Sequence, residues 1–202
     1  MSRRSALRTI LALAGHAAAV AAFGIALAAP AGAAPLPYKL DAGRSSFRYE
    51  TDFGADKITG DMPVVAANVI LDFDNVANCK VAVRLDVAGA TATFPFAAQA
   101  LKGPTMLDAG SFPEISFQST SVKRKGDGAS VAGNITLRGV TRQIVFDANT
   151  YLQEGSAAGD LAHLTVRLQG ALRRSDFGAT GWADMVGDEV RLDILARVDR
   201  AN

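Results

Sequence analysis

The sequence predicts an all-β domain of antiparallel strands. From residue 46 onward, apolar residues recur at every second position in one run after another, which is the period of a strand with one hidden face. Parallel sheets bury both faces of their strands, so one-sided strands favour an antiparallel sheet. Turns that contain Gly and Asp, such as KGDG at 125–128, separate the runs and suit tight hairpins.

About eight such runs follow one another along the chain. Their shared faces carry Phe47 and Tyr49; Val69, Leu71 and Phe73; Val81, Val83, Leu85 and Val87; Ile115 and Phe117; Val131, Gly133, Ile135 and Leu137; Ile144 and Phe146; Leu164, Val166, Leu168, Gly170 and Leu172; and Val190, Leu192, Ile194, Ala196 and Val198. These strands must hide their sheet edges. A closed barrel does so fully, a two-sheet sandwich is the competing arrangement, and the alternation alone does not separate them.

The segment HLTVRLQGALR, residues 163–173, shows the alternation most clearly. Its hidden face covers either a packed core or a molecule that the protein carries. The interior of an eight-stranded barrel is just wide enough to be filled by side chains or to hold one slender ligand. The pattern of residues leaves both answers open.

Two segments interrupt the strand pattern. Residues 91–113 contain two Phe around a Pro and predict a helical turn over Ala97–Leu101 that ends at Gly103-Pro104. Loops of this length in compact all-β domains are often functional. The second segment, residues 173–188, is a Gly-rich loop with the only Trp of the chain, Trp182. A Trp in such a loop is more often a packing residue than a binding residue.

The first 33 residues predict a secretory signal peptide. Arg3, Arg4 and Arg8 precede an uncharged, Ala-rich stretch, and AGAA at 31–34 offers small residues to a peptidase. A retained membrane anchor is the alternative, because about 20 apolar residues suffice to span a bilayer. We therefore expect a periplasmic or secreted protein. The paired Arg leaves both the Sec and the twin-arginine (Tat) export routes open.

Residues 34–202 have the length of one domain. Taking the three Arg of the leader from the 21 basic residues leaves 18 against 20 acidic residues, a net charge near −2. Such a balance does not favour nucleic acid or an anionic membrane surface as a partner. Cys79 is the only cysteine, so an internal disulfide is excluded and the thiol is either buried or paired between chains.

The sequence carries no recognisable catalytic or metal-binding motif. The domain after the leader has a single His, His163, and lacks CxxC, HExxH, GxSxG and GxxxxGK[ST] patterns. A Ser-His-Asp triad would depend on His163 at the start of a strand, where a solvated turn-edge His is more ordinary. We therefore expect a binding protein rather than an enzyme, with no metal and no cofactor, because apolar cavities need no titrating residues.

Four stretches in the right order resemble the YceI-like domain family. They are YKLDAGRSSFRYET (38–51), LKGPTMLDAGSFPEISFQSTSVK (101–123), VAGNITLRGVTRQIVFDA (131–148), and RRSDFG (173–178) with VGDEVRLDI (186–194). The resemblance covers nearly all of the chain after the leader. One departure is TFPFAAQALKG at 93–103, which lacks the charged run of many family members and indicates a more apolar lip.

The resemblance implies an eight-stranded, lipocalin-like antiparallel barrel over residues 34–202, with a short helical segment in a long loop. Family members resemble periplasmic carriers that hold an isoprenoid chain, of a polyprenyl or quinone lipid, along the barrel axis. The implied tunnel lining is Phe47, Tyr49, Leu71, Phe73, Val83, Leu85, Phe117, Ile135, Phe146, Leu164, Val166, Leu168, Leu172, Leu192 and Ile194. The implied mouth and head-group site is Phe94, Phe96, Phe112, Arg174, Ser175, Asp176, Phe177 and Trp182.

The leading hypothesis is thus a periplasmic carrier of an apolar lipid. The alternative is a structural or interaction protein of the same fold, with a core that Phe residues fill. Phe94, Phe96 and Phe112 fit either a covered tunnel mouth or a homodimer contact. Transient contact with a membrane or a membrane protein would accompany lipid exchange, and no nucleic-acid partner is expected.

Overall fold

The computed structural model describes residues 34–201, and the predicted signal peptide at 1–33 lies outside them. Ten strands form most of this part of the chain: β1 (Leu36–Leu40), β2 (Ser46–Phe53), β3 (Asp56–Asp61), β4 (Val64–Leu71), β5 (Lys80–Asp86), β6 (Glu114–Lys125), β7 (Gly128–Leu137), β8 (Val140–Leu152), β9 (His163–Arg173) and β10 (Val186–Arg200). One α-helix, α1 (Pro95–Lys102), and short 3₁₀ turns at Ala42–Arg44, Val76–Asn78 and Arg174–Phe177 lie between these strands.

Eight of the strands close into an antiparallel barrel. β4 to β10 pair in chain order, and β1 joins the two ends of this row. Tyr38 of β1 lies opposite Val69 of β4 on one side and Arg200 of β10 on the other. The predicted eight-stranded barrel is confirmed, and the closed ring excludes the sandwich because it leaves no free edge in these eight strands.

β2 and β3 form a further hairpin, and β2 extends the barrel wall along β10. β10 is 15 residues long, so it pairs with β1 near its end and with β2 over residues 186–195. The outer edge of β3 is covered by the chain after β5, where the amides of Thr91 and Thr93 donate to the carbonyls of Asp61 and Thr59 at 2.9 and 2.7 Å. The sequence DKITGD of β3 lacks apolar alternation, which is why the pattern did not indicate this strand.

The predicted helical turn over Ala97–Leu101 is part of the longer helix α1. Pro95 is its first residue, where the missing N–H costs nothing. The helix ends before Gly103, whose amide donates to the carbonyl of Ala100 at 3.0 Å. Among residues 34–201, no helix is long and apolar enough to cross a membrane.

Inward-facing side chains pack into two clusters. The larger cluster centres on β6, β7 and β8 and includes Phe146 and Phe177. The smaller one joins Tyr38, Val69, Leu164 and Val198, which the pairing of β1, β4, β9 and β10 brings together. We call it the closed-end cluster, because it fills the barrel at the end away from residue 186.

Candidate functional site

The barrel encloses an apolar cavity of about 170 Å³. Inward-facing side chains of β1, β2 and β4 to β10 form its wall, together with Leu101 of α1 and Met106 and Leu107 of the following turn. A second space of about 340 Å³ lies under α1 and the loop that holds Trp182. We call the first the barrel cavity and the second the mouth pocket. The two adjoin, because they share Tyr49, Thr51, Leu101, Met106 and Val186 as lining residues.

Several side chains that point into the barrel are only half-buried. Leu168 of β9 and Leu192 and Ile194 of β10 are in this state, although they lie on the inner face of a closed ring. A side chain in a packed core touches neighbours on every side and loses nearly all of its exposure. The remaining exposure of these residues therefore faces the barrel cavity. The hidden face of HLTVRLQGALR covers a hollow towards Leu172 and a packed core at Leu164, which is 1% exposed.

The structure brings most of the predicted lining residues to the barrel cavity. They are Phe47, Tyr49, Val83, Leu85, Phe117, Ile135, Phe146, Leu168, Leu172, Leu192 and Ile194. The other four, Leu71, Phe73, Leu164 and Val166, do not border it and belong to the closed-end cluster or pack against it. The cavity stops short of this end, where Leu164 and Val198 are each 1% exposed. That the lining residues contact a ligand stays a prediction.

Three polar residues in the cavity wall, Tyr49, Thr51 and Arg174, bond to the backbone, and a fourth, Arg48, pairs with the side chain of Asp61, with Nε 3.7 Å from Oδ1. The hydroxyl of Tyr49 donates to the carbonyl of Thr91 at 2.6 Å, and burial raises the pKa of Tyr49 to about 12. The hydroxyl of Thr51 lies 3.1 Å from the carbonyl oxygen of Gly187 and 2.9 Å from that of Glu189. Buried polar groups with partners cost little, and they leave the wall chemically apolar. Such a wall suits a hydrocarbon chain and offers nothing to a polar head.

Arg174, a predicted head-group donor, is buried and bonded to the protein itself. Its Nε donates to the carbonyl of Gly187 at 2.8 Å, and Nη2 donates to that of Val186 at 2.8 Å. Its Nη1 donates to the carbonyls of Ala179 and Gly181 at 2.6 and 2.8 Å. These four bonds tie the loop over residues 179–187 to the barrel. A head group would have to replace them, so the geometry assigns Arg174 to holding this loop.

The other predicted mouth residues divide into two groups. Phe94, Phe96 and Trp182 border the mouth pocket. The remaining four lie elsewhere: Phe112 packs against Gly139, Ser175 bonds to Asp188, Asp176 lies on a separate surface pocket, and Phe177 is buried in the larger core cluster. Ser175 and Asp176 are thus features of a turn beside β10, and only the three aromatic residues of this set reach the mouth.

The mouth pocket is covered by an exposed pair of aromatic rings. The rings of Phe96 and Trp182 meet edge to face, with centroids 5.8 Å apart and planes at 84°. This contact joins α1 to the loop held by Arg174. Phe94 and Met185 border the same pocket and are also exposed. The apolar lip indicated by TFPFAAQALKG is therefore present at the opening of the barrel cavity.

The sequence alone did not indicate the wall residues that come from irregular segments. Met62, Met106 and Leu107 lie outside strands and helices, so no period marks them. For Leu101 the sequence contained a weak indication, because it follows Ala97 by four residues in the predicted helical turn and so lies on the same helix face. Both residues border the mouth pocket.

The groups that other chemistry would need lie apart from the cavity. His163 pairs with Asp199 on the exposed surface, with Nδ1 2.8 Å from Oδ1, and neither borders the barrel cavity or the mouth pocket. Within residues 34–201, no group of three or more His, Cys, Asp and Glu side chains is placed to hold a metal ion. Cys79 is half-buried, its sulfur accepts the amide of Asp72 at 3.2 Å, and burial raises the pKa of its thiol.

The closed ring of strands around an apolar hollow defines a lipocalin-like barrel. The sequence pattern of the YceI-like domain matches residues 38–198, and the chain belongs to the YceI-like domain family. A "UPF0312 protein" of Yersinia pestis is 34% identical over 92 residues, which are 46% of this chain and 47% of that protein. The chain thus spans about half the length of this relative.

Several solved structures share the fold, among them the following two. The crystal structure of BcnA from Burkholderia cenocepacia has a TM-score of 0.71 at 20% identity, covering 79% of this chain and 99% of that one. The structure of "a polyisoprenoid binding domain from Saccharophagus degradans implicated in plant cell wall breakdown" has a TM-score of 0.58 at 12% identity, covering 82% and 99%. At these identities the likeness is one of fold.

Proposed function

We propose that this protein binds a long isoprenoid lipid, of the polyprenyl or quinone type, with the end of its chain in the barrel cavity and the following part in the adjoining mouth pocket. The observation that carries the proposal is the half-buried apolar wall around Leu168, Leu192 and Ile194. Such a lipid exposes several hundred Å² of apolar surface in water. At about 25 cal/mol per Å², burying it yields on the order of 10 kcal/mol before the costs of ordering. A polyisoprenoid-binding neighbour with the same fold supports the choice of ligand class.

The geometry supports one orientation of this lipid. The closed-end cluster blocks the far end of the barrel, so the end of the chain enters first. Tyr49 and Arg174 in the wall are engaged with backbone carbonyls and Arg48 pairs with Asp61, so the head stays at the mouth pocket, where α1 and the Trp182 loop leave room. The narrow cavity suits one thin chain rather than a compact molecule.

We further propose that the protein acts as a carrier outside the cytoplasm. The predicted signal peptide supports export to the periplasm or beyond it. A carrier function needs no catalytic group, and the apolar wall provides none. That Phe94, Phe96 and Phe112 form a homodimer contact instead of covering the tunnel mouth stays a prediction, as does transient contact with a membrane or a membrane protein.

Mass spectrometry of organic extracts tests the proposal. Protein purified after export should release an isoprenoid lipid in a ratio near one per chain. Leu168→Trp should abolish this release, because the larger side chain fills the barrel cavity. Val145→Trp is the matched control, because Val145 lies on the outer face of β8 and is 52% exposed. Wild-type extracts without lipid would reject the proposal and favour the alternative of a structural protein.

A further inference from the structure

Four exposed apolar side chains surround the opening of the mouth pocket. Phe94, Phe96, Trp182 and Met185 are 45%, 66%, 44% and 43% exposed, and all four border that pocket. We call them the mouth patch. Isolated exposed apolar residues are normal on a protein surface, and the largest contiguous apolar patch of a monomer is often functional. This patch is continuous with the wall of the barrel cavity, so a lipid chain that enters or leaves passes over it.

Trp182 lies in the loop over residues 179–187, which Arg174 binds through its backbone carbonyls. Its backbone has φ of 58°, a left-handed conformation that is unfavourable for a bulky residue. The amides of Met185 and Val186 both donate to its carbonyl, at 3.0 and 2.8 Å, and Arg174 binds the carbonyl of Gly181 before it. The surrounding structure thus imposes this conformation, which points to a function of the exposed ring.

The area and charge of the mouth patch indicate what covers it. Aromatic side chains of this size offer 150–250 Å² each, so the exposed part of the patch is roughly 400 Å². A stable dimer buries about 800 Å² per partner, about twice as much. α1 and residues 178–185 carry one cation and one anion, Lys102 and Asp184, whereas surfaces that bind anionic membranes cluster basic residues. Trp and Phe without net charge suit the boundary of a neutral bilayer.

We propose that the mouth patch docks on the surface of a neutral phospholipid bilayer and so opens the barrel cavity directly to the apolar phase. The proposal rests on the proposed function, because docking supplies the lipid that the cavity holds. A second copy of the chain on this patch would seal the mouth pocket instead.

Trp182 is the only Trp of the chain, so its fluorescence reports on the patch alone. Neutral phosphatidylcholine vesicles should shift its emission to the blue, and vesicles with brominated acyl chains should quench it. Phe96→Ser should weaken vesicle binding about tenfold, because it removes the most exposed ring of the patch. Val145→Ser on the outer wall is the matched control and should bind as the wild type does. The N terminus of each purified protein is read by mass spectrometry, so that a retained leader is recognised.

The outcomes separate docking from lipid binding. Unchanged emission with vesicles, from protein that yields lipid on extraction, overturns the docking proposal and leaves the proposed function intact. Equal weakening by Phe96→Ser and Val145→Ser also overturns it. A dimer that Phe96→Ser dissociates, with no response to vesicles, assigns the patch to a second copy and rejects the bilayer.

Discussion

The ring of Phe117 meets the ring of Phe146 edge to face, with centroids 5.4 Å apart and planes at 88°. Both rings border the barrel cavity, and each lies over a glycine of a neighbouring strand. A Cβ at Gly133 would lie 2.5 Å from Cε2 of Phe117, and a Cβ at Gly170 would lie 2.8 Å from Cδ1 of Phe146. The two glycines therefore let the rings lie against the wall and keep the centre of the barrel open.

Gly133→Ala should narrow the barrel cavity. The added methyl meets the ring of Phe117 and, at 2.6 Å, the carbonyl oxygen of Gln118, so the ring moves towards the centre and β6 shifts with it; less lipid should therefore be extracted from the variant. Overpacking of this kind costs about 1–3 kcal/mol in the free energy of unfolding, measured by urea denaturation. Gly110→Ala is the control, because a Cβ there meets nothing within 4 Å. Equal lipid content in both variants would show that Gly133 does not keep the cavity open.

Arg174→Lys should destabilise the loop over residues 179–187. Lysine carries all its N–H donors on one nitrogen, so it cannot replace a guanidinium whose three nitrogens reach four carbonyls. Hydrogen bonds from charged groups contribute about 1.5–3 kcal/mol each, so we expect a loss of about 3 kcal/mol or more in urea denaturation. The exposed neighbour Arg173→Lys should change the free energy little. If both variants unfold at the wild-type urea concentration, Arg174 does not hold the loop.

Tyr49 should make the protein less stable at high pH. Its pKa is raised to about 12 in the folded protein, and the ordinary value of 10.0 applies when it is unfolded. Between pH 10 and pH 12 the unfolded chain binds fewer protons than the folded one, so the free energy of unfolding falls as the pH rises. The contribution of the protonated Tyr49 hydroxyl to stability is therefore complete below pH 10 and is lost towards pH 12. The stability advantage of wild type over Tyr49→Phe should therefore shrink over this range in urea denaturation. A difference in free energy of unfolding between wild type and Tyr49→Phe that stays constant from pH 8 to 12 would contradict this role of Tyr49.

Cys79 should react slowly with thiol reagents in the folded protein. Burial raises the pKa of its thiol, so the reactive thiolate is scarce, and the sulfur is half-covered. We expect a reaction with Ellman's reagent that is at least about tenfold slower than in urea, where one thiol per chain should react fast. A native rate that equals the unfolded rate would show an accessible, reactive cysteine.

The sequence predicted the faces of the strands better than the depth of the cavity. A period of two fixes which side chains point inward, and Phe117, Leu168 and Ile194 do border the cavity. Leu164 and Val166 share that face but lie in or against the closed-end cluster, because depth along the axis depends on how β1, β4, β9 and β10 pair. Strand alternation carries no information about these registers.

At the mouth, the sequence predicted the apolar residues better than the partners of the polar ones. The composition of residues 93–103 predicted an apolar lip, and Phe94 and Phe96 form part of it. Arg174 was expected to meet a lipid head group because Arg is a strong donor. Its partners are carbonyls of residues 179–187, and backbone acceptors leave no trace in a sequence.

Photocrosslinking of an isoprenoid chain tests the central claim most directly. A polyprenol with a photoreactive group near the end of its chain is bound to the purified protein. The complex is irradiated, and the labelled peptides are mapped by mass spectrometry. We expect label on the inner faces of β9 and β10 next to the closed-end cluster, at Leu168 and Ile194, and less at Leu172, which lies towards the mouth. Label confined to exposed positions such as Val65 and Val145 would contradict binding inside the barrel.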